Sequence, residues 1–345
     1  MTTLTRTLRT SALAASVALP LLSGGCFDFG GDTQFLQADD VRLELPEAVS
    51  NRDADPSQIH GDMHDAVLRV TADVNGWVTA MVENSAKVVS YLDGIPETSR
   101  DGTARIYGPY ADRDGRDLAW LVRLDETDEG SSFALFVGSR SAKSQDEMAE
   151  LLSGTLVVGE DTRSGGFVLD FDVVEKYSEM KGPEIDLYTY SGAVSVTFER
   201  ALGSKYKHID MDFQDLSVLY EGFLDDDAFF SDDTYSYHRE ADGAGSFHLA
   251  LLGEWDDRGW SGPEQETMTL DAAWTPEGAG RTRGTIVESA DMGDMKHGDL
   301  VVEECFGVDG YLTWRQISEA YLVEVPDYNM GEAKSCALAA PALGQ

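Results

Sequence analysis

Residues 63–92 read MHDAVLRVTADVNGWVTAMVENSAKVVSYL, and they form the one long stretch of the chain with a helical pattern. Large apolar residues recur there every three or four positions, which places them along one stripe of an α-helix. These residues are Met63, Val67, Val70, Val74, Trp77, Met81, Val88 and Leu92. Asp62 and Asp65 suit the positive end of a helix dipole, and Gly94 and Pro96 suit a helix end. We therefore predict one long amphipathic helix.

After this helix the chain alternates apolar and polar residues with a period of two, which is typical of β-strands. The predicted strands cover residues 104–110, 118–124, 132–139, 152–159, 167–174, 194–198, 209–220, 234–239, 247–252, 268–274, 285–289, 300–304, 311–315 and 321–325. Ile209 and Phe213 share one face, whereas Leu216 has the opposite parity, which predicts a bulge near Gln214 and Asp215. A further short strand is predicted around Val41, Leu43 and Leu45.

Pairs of residues that accept positive φ angles separate many of these strands and predict tight hairpins. The pairs are Asp101-Gly102, Asp114-Gly115, Ser164-Gly165, Asp242-Gly243 and Asp309-Gly310. The fold class is therefore mainly β (α+β). We predict a large antiparallel meander curled into a barrel or half-barrel, with the long N-terminal helix packed against it. Residues 58–336 are predicted to form this single domain, and residues 337–345 a flexible tail.

The charge of the chain is strongly negative, because 63 acidic residues stand against 26 basic ones and give −37 at pH 7. A surface of this sign repels phosphate backbones, so we exclude nucleic acid as a partner. It also argues against docking on anionic lipid. A dense carboxylate surface is compatible with a salty habitat, where ions screen the self-repulsion. The 42% of apolar residues is sufficient for a real core.

The first 26 residues carry the most specific motif. Residues 1–10 include Arg6 and Arg9, residues 11–22 are small and apolar, and Leu-Ser-Gly-Gly-Cys follows and ends at Cys26. This layout resembles the signal peptide and lipobox of bacterial lipoprotein precursors, with Ser23 at a position where that family usually has Leu. The resemblance implies that residues 1–25 are removed and that Cys26 is acylated. The lipid bilayer would then be a partner, and residues 26–57 would be an acidic tether.

Phe27 stands where an Asp would resemble an inner-membrane retention signal, so we expect the outer membrane of the cell envelope. The three cysteines are Cys26, Cys305 and Cys336, and an odd number in an exported protein suggests a separate fate for one of them. With Cys26 acylated, as the resemblance implies, Cys305 and Cys336 remain to form a disulfide in an oxidising compartment. Metal ligation by two cysteines is the poorer alternative, because the histidines are not clustered around them.

Motifs of known chemistry are missing from the sequence. It holds no G-x-S-x-G elbow, Walker A loop, dinucleotide fingerprint or H-E-x-x-H helix, so we predict no catalytic residue, no metal site and no cofactor. His60 and His64 are four apart and could share a metal, but we interpret them as solvated residues at a frayed helix start. The segment 112–117 vaguely resembles a calcium loop, and a hairpin turn is the preferred interpretation.

A helix and a large antiparallel sheet on a lipid tether are similar to the layout of uncharacterised exported lipoproteins. By architecture only, they also resemble the Lol-type lipoprotein carriers, which are half-barrels with helical lids. Our first hypothesis is a non-enzymatic envelope lipoprotein that binds an apolar ligand or another envelope protein. One alternative is a secreted-side hydrolase whose site assembles from distant residues. The other is a calcium-stabilised surface or adhesion module.

Overall fold

The computed structural model describes residues 36–46, 59–92, 95–112, 115–127, 130–177, 188–220, 228–230, 234–253, 266–287, 300–318 and 329–339. In this part of the chain lie three α-helices: α1 (Ala38–Val41), α2 (Asp62–Leu92) and α3 (Phe171–Lys176). The strands are β1 Ser99–Asp101, β2 Ala104–Ala111, β3 Leu118–Thr127, β4 Gly130–Ser139, β5 Ala149–Val158, β6 Thr162–Asp170, β7 Tyr188–Ala201, β8 Lys207–Tyr220, β9 Ala228–Phe230, β10 Thr234–Arg239, β11 Gly245–Gly253, β12 Glu266–Trp274, β13 Gly280–Val287, β14 Val301–Phe306 and β15 Leu312–Ile317.

All strands belong to one antiparallel sheet in which each strand pairs with its neighbour in the chain. The short strand β9 is the exception, because it lies off the main path and pairs with both β8 and β11. The mainly β antiparallel meander predicted from the sequence is therefore confirmed. A closed barrel is not formed, since the order begins at β1 and ends at β15 without pairing between them. The curl into a half-barrel stays a prediction.

The alternation of residue types decides which face of the sheet is buried. In β7, Val194, Val196 and Phe198 are buried in the core, and Ser195 and Thr197 point to the other face. The predicted bulge is confirmed as well: the register of β7 and β8 shifts between Ser191 and Ala193, and Asp215 has a φ of +48°. The shift returns Leu216 to the buried face.

Six tight hairpin turns whose residues the structure describes lie at one end of the sheet, which we call the tight-turn end; the β3–β4 hairpin is at the same end, but residues 128 and 129 lie outside the described ranges. They join β1–β2, β5–β6, β7–β8, β10–β11, β12–β13 and β14–β15. Gly102, Gly243 and Gly310 adopt positive φ in three of these turns, as their sequence pairs predict. Gly115 also has positive φ, between β2 and β3, and Asp114 lies outside the described residues.

The turn predicted at Ser164-Gly165 is wrong, because both residues lie inside β6. Gly165 is needed there for close strand packing, since a Cβ would collide with the backbone oxygen of Thr155 on β5. The actual turn comes earlier, at residues 159–161, and Gly159 donates its N–H to the Thr162 carbonyl at 2.8 Å. The sequence pair was therefore a packing signal and not a turn signal.

Two predicted strands are also corrected. β6 ends at Asp170, and residues 171–174 of the strand predicted at 167–174 belong to helix α3. The Asp170 carboxylate accepts the backbone N–H of Val173 at 3.0 Å and so caps this helix. Near the N-terminus, Val41 ends helix α1 in place of the predicted short strand.

Residues 36–46 are packed against the sheet, although the sequence assigns them to the tether. Leu36, Val41 and Leu43 are buried with the core. The fully buried Asp40 accepts hydrogen bonds from Arg163 Nε and Nη2 at 2.9 Å each and from Arg200 Nε at 2.7 Å. This part of the predicted tether therefore belongs to the folded domain, where its buried carboxylate is paired by two guanidinium groups.

Helix α2 shares a core with the sheet along the part whose side chains the structure describes. Met63, Ala66, Val67, Val78 and Val82 are buried there together with strand residues. Met63 and Val67 belong to the predicted stripe, whose members Val70 and Val74 are partly buried, whereas Ala66, Val78 and Val82 were not part of it. The side chains of the remaining stripe residues lie outside the described set: these are Trp77, Met81, Val88 and Leu92. Packing of the whole helix against the sheet stays a prediction.

The start of α2 is fixed by a carboxylate from the far end of the chain. Buried Glu304 on β14 accepts the backbone N–H groups of Asp62, Met63 and His64 at 3.0, 2.9 and 3.3 Å. Arg315 Nε donates to the same carboxylate at 2.8 Å. Burial raises the pKa of Glu304. An anion at the N-terminal N–H groups offsets the helix dipole and satisfies donors that a helix leaves unpaired.

His64 is buried beside this anchor point, so its interpretation as a solvated residue at a frayed helix start is wrong. Its ring stacks on Phe306 with ring centres 4.0 Å apart, and burial lowers its pKa to about 4. His60 lies one turn earlier with its side chain half exposed, 3.9 Å from Asp65. The two histidines therefore do not form a solvated pair, because one of them belongs to the core.

The predicted disulfide between Cys305 and Cys336 is confirmed, with an S–S distance of 2.07 Å and Cα atoms 5.4 Å apart. It ties β14 to the segment 329–339, which also pairs with the edge strand β15 through Arg315 and Met330. The disulfide therefore holds the segment 329–339 against the edge strand β15. A segment that covers a sheet edge protects unpaired edge groups from pairing with other chains.

Replacing His64 with Phe should make the free energy of unfolding less sensitive to acid. The folded pKa of about 4 lies below the usual 6.5, so the stability from neutral His64 is present above pH 6.5 and is lost as the pH falls towards 4. The loss amounts to at most about 3 kcal/mol at 1.4 kcal/mol per pKa unit. Glu304, whose pKa is raised, changes the free energy of unfolding with pH in the opposite direction. It does so in wild type and in His64→Phe alike, so the difference in unfolding free energy between these two proteins reports on His64.

Urea unfolding of wild type and His64→Phe at several pH values between 4 and 7 measures this difference. The variant should lose less stability than the wild type on acidification. His60→Phe, with its half-exposed ring, is the matched control and should follow the wild type. Parallel curves for wild type and His64→Phe would contradict the buried, neutral state of this histidine.

Candidate ligand-binding face

The face of the sheet opposite the core carries an unbroken row of polar residues and one glycine across twelve strands. Each member lies directly opposite the next in the strand register. The row runs Asp125, Ser132, Thr155, Gly166, Thr197, Asp210, Ser236, His248, Asp271, Arg283, Glu303 and Gln316. We call it the polar row. At a strand spacing of about 4.8 Å it extends over roughly 50 Å.

The polar row exists because its neighbours along each strand point into the core. Thr197 stands between buried Val196 and Phe198, and Ser236 between buried Tyr235 and Tyr237. Since residues opposite each other in register point to the same face, one polar residue per strand is sufficient to produce the row. The row is therefore a consequence of correct register over the whole sheet.

Two open grooves lie along this face. The first, between β3 and β7, has a volume of about 540 Å³, and Ser132, Ser153 and Thr155 contribute to its lining. The second has a volume of about 550 Å³ and extends from β7 to β11. Ser195 and Thr197 line both grooves, so the two adjoin at β7. Their combined lining offers hydroxyl groups that both donate and accept hydrogen bonds.

Carboxylates distinguish the second groove from the first. Asp210 and Asp212 line the second groove. In the first groove the negative charge of Glu150 is offset by the positive charge of Arg123. Asp210 is hydrogen-bonded to His208, because Asp210 Oδ2 lies 2.7 Å from His208 Nε2. The second groove therefore suits a neutral or positively charged ligand better than an anion.

His248 and Asp271 form a largely buried polar pair on this face. His248 Nδ1 lies 2.7 Å from Asp271 Oδ1, and the Asp271 side chain is only 5% exposed. Asp271 Oδ2 has no hydrogen-bond partner within the described part of the chain. The register places Ser236 directly opposite His248, and both line the second groove. A carboxylate thus orients an imidazole beside a hydroxyl group, although the structure records no Ser236–His248 hydrogen bond among the described residues.

Two further histidines lie on the same face, next to this pair. His208 and His238 are opposite each other on β8 and β10, with ring centres 5.5 Å apart. His238 Nε2 lies 2.9 Å from Glu240 Oε1. Each histidine of the face is thus engaged by its own carboxylate. Across the described ranges no three His, Cys, Asp or Glu side chains converge in a way that could hold a metal ion.

The structure describes only some of the residues that the sequence pattern indicated as possible sites. Cys26 lies outside the described residues, so its acylation stays a prediction. In the segment compared with a calcium loop, the Asp112 carboxylate is bound by Arg116 at 2.6 Å and Trp120 Nε1 at 3.2 Å. The segment connects β2 to β3. Asp112 is therefore already paired with a cation of the chain itself.

Sequence reasoning did not find the polar row, although its members were visible as the polar half of each alternating strand. The missing information was the register, which decides whether Thr197 meets Asp210 or a residue one place away. His248 and Asp271 are 23 residues apart, and no motif joins them. A list of polar residues at the centre of each predicted strand would have been the best available signal.

Comparisons with models of protein families, with curated proteins and with solved structures find no match to this chain. Among the residues that the structure describes, no helix is long and apolar enough to cross a membrane.

Proposed function

We propose that the chain is a cell-envelope lipoprotein, anchored through acylated Cys26, that binds a ligand or an envelope partner along its polar row. The anchor rests on the signal peptide and lipobox pattern of residues 1–26. The observation that supports binding is that the two grooves adjoin at Ser195 and Thr197. In this proposal the function is non-enzymatic, and the site of attachment is the outer membrane.

The grooves carry both hydroxyl groups and apolar side chains, such as Phe136 and Val168, so they suit a partner with polar and apolar parts. Hydroxyl groups of Ser132, Thr155, Ser195 and Thr197 face the grooves, and Asp210 adds a carboxylate. Open surfaces that combine hydroxyl and apolar groups recognise hydroxylated chains or the surface of another protein by hydrogen bonds together with apolar contacts. The apolar face of the sheet is occupied by core side chains and by the described part of helix α2.

The finer architecture belongs to the same proposal. We propose that the open sheet is curled as a half-barrel and that α2 packs along its apolar side over its full length. The buried stripe from Met63 to Val82 supports this arrangement. With the apolar side closed by α2 and by residues 36–46, the polar row is the face that remains for a partner.

Thr197→Trp tests the binding site, because an indole at the junction of the grooves blocks both. Protein carrying Cys26→Ser, which lacks the anchor, should still sediment with isolated bacterial envelopes through the polar row. Adding Thr197→Trp should weaken this sedimentation at least tenfold without lowering the melting temperature, since Thr197 is exposed.

Gln316→Trp is the matched control, because Gln316 is exposed on the same row but lines neither groove. It should leave the sedimentation unchanged. Equal loss in both variants, or no sedimentation of the Cys26→Ser protein at all, would refute the polar row as the binding site. Release of the Cys26→Ser protein from cell membranes, compared with retention of the wild type, reports separately on the anchor.

The pairing of His248 with Asp271 favours a second candidate function, a hydrolase. Ser236 Oγ would attack an acyl carbon while His248 Nε2 takes the hydroxyl proton, and Asp271 would stabilise the imidazolium. The proton would pass to the leaving alcohol, and water would then release the acyl group. This function needs the Ser236–His248 hydrogen bond to form when substrate binds.

A fluorophosphonate probe tests this candidate, since it labels serines that an adjacent base activates. A hydrolase should be labelled once, and Ser236→Ala and His248→Gln should both abolish labelling. Ser132→Ala, which removes a hydroxyl from the other groove, should keep it. Absence of labelling in the wild type would eliminate this serine mechanism.

A further inference from the structure

The tight-turn end of the sheet exposes apolar side chains on two adjoining hairpins. Val157 and Val158 at the end of β5 are 46% and 44% exposed, and Leu202 in the β7–β8 turn is 40% exposed. The two hairpins are joined by a hydrogen bond from Leu202 N–H to the Asp161 carbonyl at 2.7 Å. We call residues 157–162 and 201–206 the paired tips. Val308 in the β14–β15 turn, at the same end, is also exposed.

The chain enters the domain at this same end. Asp40 binds Arg163, near the start of β6, and Arg200, near the end of β7, so both partners lie beside the paired tips. The Gln37 side chain accepts a hydrogen bond from Arg200 Nη2 at 2.8 Å. Leu36 is buried next to these contacts. The segment 36–46 is therefore fixed to the tight-turn end, and it cannot move to the other end without breaking buried ion pairs.

The length of chain before Leu36 limits how far this end can lie from Cys26. Ten peptide units separate Cys26 from Leu36, and a fully extended chain of that length spans at most about 35 Å. β7 and β8 contain 14 residues each, which corresponds to roughly 45 Å at 3.3 Å per residue. An acylated Cys26 therefore keeps the tight-turn end within about 35 Å of the bilayer, which is less than the length of β7.

We infer that the paired tips rest on the surface of the bilayer that holds Cys26, with the strands directed away from it. This inference rests on the proposed acylation of Cys26. Exposed aliphatic side chains beside a lipid anchor gain from burial at the membrane interface. Glu160 and Asp161 are exposed in the same turn, so the contact stays shallow and suits zwitterionic lipid, not anionic lipid. In this orientation the polar row runs parallel to the membrane and stays accessible.

Depth-dependent fluorescence quenching of the full-length acylated protein tests the orientation. Val158→Cys and Leu202→Cys, each labelled with an environment-sensitive dye, are reconstituted into phosphatidylcholine vesicles that contain a headgroup-labelled nitroxide lipid. Lys143→Cys, exposed in the β4–β5 connection at the opposite end, is the matched control. We expect at least twofold quenching at positions 158 and 202 and none at position 143.

The outcomes separate the orientation from the anchor, because intact-mass analysis and vesicle flotation are measured on the same samples. Acylated, floating protein with both tip labels unquenched overturns the orientation and leaves the anchor in place. Acylated protein in which position 143 is quenched and the tips are not shows the reverse orientation and also overturns it. Protein without acyl chains overturns the proposed anchor together with the orientation that rests on it.

Discussion

The antiparallel register is the constraint on which the rest of this molecule depends. Because side chains alternate between faces, a slip of one residue in any strand would send its apolar set to the solvent and its polar residue into the core. In β8 the core-facing residues change from odd-numbered to even-numbered positions after Phe213. The bulge at Asp215, opposite Gly192, compensates for this change. The same ladder that buries Val196 and Tyr235 thus aligns Thr197 with Asp210 and Ser236.

Buried ion pairs attach the non-strand segments to this sheet. Asp40 holds the N-terminal segment to β6 and β7 through Arg163 and Arg200. Glu304 holds the start of α2 to β14, with Arg315 as its partner. Removing one member of such a pair leaves a buried charge without a partner, which costs several kcal/mol, about 3–5 in measured cases. In a chain with only 26 basic residues, three arginines are thus used to fix the two segments that close the apolar face.

Sequence patterns predicted the local features well, because each depends on neighbouring residues. Alternation predicted the described strands except β1 and β9, and it predicted the parity change at Gln214 and Asp215; the strand predicted at 321–325 lies outside the described residues. The cysteine count gave the disulfide partners once Cys26 was set apart. The misassigned turn at Ser164-Gly165 shows the limit, since glycine serves close strand packing as well as turns. Helix α3 was missed because its apolar residues continue the parity of β6 into buried positions.

The candidate site and the two buried contacts that fix the non-strand segments were not predictable in the same way, because they depend on pairings between residues from different parts of the chain. The Asp40–Arg163 contact joins residues 123 apart, and Glu304 lies 240 or more residues from the helix it caps. No local pattern encodes such distances. The charge pattern of residues 36–46 even favoured a tether, since Asp39 and Asp40 look like solvated acids until their arginine partners are known.

The central claim is that one face of the sheet is a packed core and the other an accessible polar row. Cysteine accessibility along β7 tests it most directly, by single substitutions of Val194, Ser195, Val196 and Thr197 and reaction with a maleimide under native conditions. We predict fast reaction for Ser195→Cys and Thr197→Cys and protection for Val194→Cys and Val196→Cys. Uniform reactivity, or protection of the serine and threonine positions instead, would contradict the account.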